Sequence, residues 1–172
     1  RSALQQLVYE KLLSQDATGH IYVSTITEKS VQDTSKVRTV LECMAIDSAV
    51  FPLSEAKLQE LERIDREQHE LIVTHPEDNL RFAELDKEFH CAIAECCDNA
   101  SLIEFIQSIN NVMVRFNVLS GTLPQNRQDA LIEHENIIAF LKKGQREFAK
   151  VALSEHLKHV EERMLSESKK ER

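Results

Sequence analysis

Three glycines and three prolines are all the backbone breakers that 172 residues contain, and this scarcity constrains the fold more than any other feature. A chain so poor in turn formers favours long helices over strands and turns. The apolar spacing agrees. From about Val31 onward hydrophobic residues recur at helical intervals, and the breakers fall between the periodic segments. A first bundle helix runs to about Phe51 and stops at Pro52, with Ser54 placed to cap the next. A second spans Glu55 to about Thr74 and breaks at Pro76, and a third covers roughly Asp78 to Cys97. Asp98-Asn99 separates it from a fourth, Leu102 to about Leu119, which Gly121-Thr-Leu-Pro124 ends. A fifth runs from about Asn126 to Lys143, Gly144 stops it, and a sixth covers about Arg146 to near Ser166. Six helices with short connections predict an all-α antiparallel bundle.

The opening residues read differently. Leu4, Leu7, Val8 and Leu12 form a helical stripe, Ser14 to Gly19 has turn chemistry, and His20 to Ile26 is β-branched and aromatic, a short strand. The polar stretch from Thr27 to Lys36 reads as a linker into the first bundle helix. The expected division is therefore residues 1–26 and residues 27–172. Arg1 stands inside a helical pattern, so the chain is expected to be a fragment that has lost its beginning.

Charge and cysteine content exclude some functions. The net charge of −8 disfavours a nonspecific grip on nucleic acid or anionic lipid. No apolar run approaches the ~18–20 residues of a membrane span, and no signal peptide is visible. Cys43, Cys91, Cys96 and Cys97 are expected to be reduced, because three share one helix and two are adjacent, which is poor disulfide geometry. A cytoplasmic protein is the expectation.

Of seven histidines, periodicity turns three inward. His134 shares a stripe with Ile137, Ile138 and Leu141; His156 shares one with Ala152, Val160 and Met164; His90 lies between Phe89 and Ile93. Asp86 sits one turn before His90, a spacing that aims a carboxylate and an imidazole at one point. His20, His69, His75 and His159 lie among polar residues or on the small strand. Any one inward histidine can be a satisfied core residue, and Asp86 can be a charge at a solvated helix edge. Burying all four without partners costs on the order of a few kcal/mol each, and one shared divalent first-row metal offsets all four together. Both readings stay open on spacing alone.

The segments Val37-Arg-Thr-Val-Leu-Glu42, Leu85-Asp-Lys-Glu-Phe-His90, Glu133-His-Glu-Asn-Ile-Ile138 and Ser154-Glu-His-Leu157 resemble the effector-binding (FCD-type) domain of GntR-family transcription regulators, in the FadR-like branch. The most specific elements are Asp86-x-x-Phe89-His90 and the step from His134 to His156, and the resemblance covers roughly residues 31–168. Arg1 to Leu7 followed by Gly19 to Val23 looks like the tail of a recognition helix and the wing of a winged helix-turn-helix. The resemblance implies that Asp86, His90, His134 and His156 hold a divalent metal (zinc, nickel or manganese). It implies that Arg38 and Arg115 meet a small carboxylate effector, and that Arg1 is a DNA-contacting residue. On residues alone Arg38 can equally be an i,i+4 partner of Glu42, and Arg115 a snorkelling arginine at the bundle edge. The wing turn lacks arginine and lysine, which places DNA contact by that turn in doubt.

The function implied is a metabolite-responsive regulator, not an enzyme, acting as a homodimer on operator DNA. Two alternatives remain at this level: a metal-dependent, hydrolase-like enzyme on a helical bundle, and a metal-free dimerisation module. An enzyme needs an acid or base poised at the metal, yet Glu133, Glu135 and Glu88 should point away from the neighbouring histidines.

Overall fold

The computed structural model describes residues 2–9, 13–119 and 124–168. The described residues form a short helix α1 (Ser2–Tyr9), an antiparallel hairpin of β1 (Leu13–Gln15) and β2 (Ile21–Val23), and six long helices. These are α2 (Glu28–Ser48), α3 (Glu55–Thr74), α4 (Asn79–Ala94), α5 (Ala100–Leu119), α6 (Pro124–Lys142) and α7 (Arg146–Ser168). The predicted all-α bundle of six helices is what forms.

Local chemistry explains most boundaries. Ser54 caps α3 at the backbone of Lys57, and Asp78 caps α4 at the backbone of Arg81. Gly144 follows α6 with φ +67, the left-handed conformation in which glycine avoids the Cβ clash. Several boundaries differ from expectation, and α4 ends at Ala94 rather than near Cys97, so Cys96 and Cys97 follow the helix instead of sharing it with Cys91. The stretch from 28 to 36 is helix, not linker, because Thr27 and Ser30 form a reciprocal capping box that starts α2 early. Helix α2 ends at Ser48 rather than near Phe51, since Ala49 leaves it to pair with Cys97 across the α4–α5 connection. Ser14 and Gln15 belong to β1 rather than to the turn, in register with Tyr22 and Ile21. The expected stop at Gly121 and the last residue of the first stripe, Leu12, lie outside the described residues.

The six long helices close into a ring: α2 packs on α7, α7 on α6, α6 on α3, α3 on α4, α4 on α5, and α5 back on α2, with α2 also touching α4. Two apolar clusters fill it along α7. Leu153 and Leu157 join Ile46, Leu61, Ile64, Phe89 and Ile137 in the larger one. Val160 and Met164 join Val31, Met113 and Phe116 in the smaller. On α7 His156 comes between Leu153 and Leu157, so a polar layer interrupts the core there. All four cysteines are free thiols. No helix among the described residues is long and apolar enough to cross a membrane.

Candidate metal centre

Helix α4 presents Asp86 and His90 one turn apart, α6 presents His134, and α7 presents His156. All four are buried, and the three histidines are fully so. One donor atom from each lies within 4.8 Å of the others. His156 Nε2 is 3.2 Å from His90 Nε2 and 3.3 Å from His134 Nε2. Asp86 Oδ1 is 3.6 Å from His134 Nε2 and 3.9 Å from His90 Nε2. The Phe89 ring stacks on His134 with centroids 3.9 Å apart and walls one side of the cluster.

The opposite nitrogens settle the tautomers. His90 Nδ1 meets Glu42 Oε2 at 2.6 Å, His156 Nδ1 meets Glu133 Oε2 at 2.6 Å, and His134 Nδ1 meets Gln68 Oε1 at 3.0 Å. Each of those partners is an acceptor, so each Nδ1 carries the proton and donates it. With each Nδ1 donating outward, a neutral imidazole turns its Nε2 lone pair toward the other two. Converging lone pairs beside a carboxylate repel unless a cation sits among them, and second partners of this kind are how metal-ligating imidazoles are oriented. One carboxylate oxygen with three neutral imidazole nitrogens fits a divalent first-row ion.

The electrostatics fit as well. Burial pushes the His134 pKa well below the ordinary imidazole value, reinforced by repulsion from His156 and His90. Burial also lowers His156, although the hydrogen bond to Glu133 opposes it. Neutral imidazole is the ligating form. Burial alone would raise Glu42, but the charge of Arg38 and the His90 contact outweigh it and hold the carboxyl down at about 2. Burial would likewise raise Glu133, yet hydrogen bonds from His156 and Arg163 bring it to about 2.

Arg38 is 1% exposed. Its Nε donates to Glu42 Oε1 at 2.7 Å, while NH1 and NH2 are buried without a partner. The i,i+4 pair with Glu42 is thus real, but buried and only half of what this guanidinium can do. Asn110 Nδ2 donates to the same Glu42 oxygen at 3.1 Å. Arg115 donates to the backbone carbonyl of Ser24. Arg1 lies outside the described residues.

Sequence reading found the four converging side chains but not what orients them. Gln68 sits on a polar helix and is fully buried, and Asn110 was hidden within an apolar run. Glu133 does turn away from its neighbour His134, as helical geometry requires, yet it reaches His156 on α7. His159, read as solvent-facing, is half exposed and donates to Glu133 Oε1 at 2.8 Å. A second, more exposed group of Asp65, His69 and Glu135 joins α3 to α6, with His69 Nε2 3.0 Å from Glu135 Oε1.

Comparison with known proteins bears on the whole bundle. The sequence profile of the FCD domain matches residues 33–159. The chain is 27% identical over 167 residues to the uncharacterized HTH-type transcriptional regulator YdhC of Bacillus subtilis (strain 168), covering 93% of this chain and 74% of that relative. Its fold is similar to that of a candidate GntR transcriptional regulator from Rhodococcus sp. RHA1, with TM-score 0.81 and 20% identity, over 96% of this chain and 78% of the other. It is also similar to the metal-free FCD domain of TM0439, with TM-score 0.65 and 21% identity, over 86% of this chain and 99% of the other.

Proposed function

This chain belongs to the FCD-domain family of GntR-type transcription regulators, and from that premise we propose that residues 27–172 sense a small organic acid at a divalent metal. The relatives are regulators of transcription, not enzymes. The observation that carries the proposal is the convergence of three imidazole Nε2 atoms and Asp86, each ring oriented by an acceptor on its far side. Asp86, His90, His134 and His156 would hold zinc, nickel or manganese. A bound ion of this class supplies Lewis-acidic positive charge with positions left over for a carboxylate. Arg38 supplies the second attraction, because a carboxylate would satisfy both its unpartnered nitrogens in a bidentate pair. Arg115, which also donates to the carbonyl of Ser24, joins α5 to the segment after the hairpin and is proposed as the second arginine to meet the effector.

Residues 1–26 read as the end of a winged helix-turn-helix domain, for which α1 and the β1–β2 hairpin have the right order. The rest of the proposed machine is a homodimer that holds two such domains on operator DNA. Acid binding biases helix positions around the ring and so the spacing of the two domains, provided the acid binds one arrangement more tightly than the other.

The test is metal content after purification without chelators or a metal-affinity tag, wild type beside His134→Ala. About one divalent ion per chain, lost in the variant, is expected. No ion in either protein after reloading with zinc, nickel and manganese would sink the metal reading.

A further inference from the structure

Asp86 faces a second neighbourhood. It lines a recess together with Phe82, Asn126, Arg127, Arg163 and Met164. The recess is the next layer of the bundle beyond the histidines. Phe82 stands one turn before Asp86 on α4, Arg127 two turns before His134 on α6, and Met164 two turns after His156 on α7. From His134 to Arg127 the helix rises about 10 Å.

Arg127 is the unusual member. It is 3% exposed, its NH1 donates to the carbonyl of Pro76 at 2.6 Å, and its guanidinium lies 5.3 Å from the Phe82 ring centroid. Its Nε is buried with no partner. Asp78 and Glu77 are close enough to be felt by this charge, yet neither hydrogen-bonds it, and Asp78 is occupied capping α4. Arg163, on the same recess, has both terminal nitrogens committed to Glu133. A buried cation with an idle donor and no paired carboxylate is costly unless an anion arrives from outside.

We propose that this recess is a second anion subsite of the effector pocket, and that Arg127 reads the far carboxylate of a short dicarboxylic acid. The near carboxylate lies toward Arg38 and the histidines, so the inference rests on the metal-and-carboxylate reading above. The partly open recess has a volume of about 30 Å³, room for roughly one water. An acid therefore enters by displacing a wall, and Met164, unbranched and flexible, is the side chain suited to give way. The specificity predicted is for two acidic groups over one at equal chain length.

Calorimetric titration of the metal-loaded chain tests it, using succinate against butyrate and glutarate against pentanoate. At least one diacid should bind wild type roughly tenfold or more tighter than its monoacid, as expected for a charged bidentate contact. Arg127→Met should erase that advantage while leaving monoacid affinity and metal content unchanged, and Arg127→Lys should retain part of it. Equal affinity for diacid and monoacid in wild type overturns the proposal and needs no variant; it leaves the carboxylate reading standing. So does an advantage that persists in Arg127→Met. If neither kind of acid binds the metal-loaded protein, the underlying reading falls and this subsite with it.

Discussion

Glu42 is fully buried and accepts from Arg38, Asn110 and His90 at once. Replacing it by glutamine keeps the shape but removes the charge that faces the Arg38 guanidinium and sets the His90 tautomer. Breaking a buried pair from one side costs about 3–5 kcal/mol, and losing such a second partner typically costs 10–100-fold in metal affinity. Glu42→Gln should therefore lower the urea midpoint markedly and weaken metal binding by one to two orders of magnitude, read by chelator competition. Unchanged affinity would mean that Glu42 serves Arg38 alone. The same residues set a pH dependence. His134 and His156 have depressed folded pKa values, so below about pH 6.5 the unfolded chain binds protons that the native one does not. Glu42 and Glu133, held at about 2, add stability that is present above their unfolded value of about 4.5 and lost as pH falls toward 2. Both contributions have one sign. The metal-free protein should lose stability steadily from about pH 7 downward, and urea midpoints in chelator that stay flat from pH 8 to 4 would contradict it.

Helix starts and stops are where the chain's own chemistry is most legible. Ser54, Pro76 and Gly144 mark ends that the structure keeps. The start of α2 was obscured by a polar stretch with no apolar stripe until Val31, and only the reciprocal contact of Thr27 with Ser30 makes it helical. That first turn carries Val31 into the cluster with Met113, Phe116, Val160 and Met164, so the cap anchors one end of the ring. Thr27→Ala should cost about 1 kcal/mol in chemical denaturation. Gly144→Ala should cost a similar ~1 kcal/mol, since nothing lies within 4 Å of the added carbon and the penalty is the backbone's alone. A neutral result at Gly144 would mean that the α6–α7 turn relaxes out of its left-handed conformation.

At the scale of the molecule, every helix of the ring contributes to one polar layer: Glu42 from α2, Gln68 from α3, Asp86 and His90 from α4, Asn110 from α5, Glu133 and His134 from α6, and His156 from α7. The convergence of the four proposed ligands could be read from sequence because they repeat at helical spacing among apolar neighbours. Their supports could not, since Gln68 and Asn110 become partners only through contacts between helices far apart in the chain, and no periodicity encodes which helices meet. This convergence has a thermodynamic consequence. A cation at the centre would tie α4, α6 and α7 directly, α2 and α3 through one hydrogen bond each, and α5 through Asn110 and Glu42 in series, so its binding energy would act on the whole ring rather than on a loop. Free metal at a hundred times its dissociation constant should add about 2.7 kcal/mol. For a domain of this size that is a rise of roughly 5–10 °C in unfolding temperature, in a single transition. His134→Ala should abolish the rise, and Asp65→Ala in the exposed group on α3 and α6 should leave it intact. A metal-induced shift that survives in His134→Ala but vanishes in Asp65→Ala would move the site to the surface and leave the buried histidines as a hydrogen-bonded core layer.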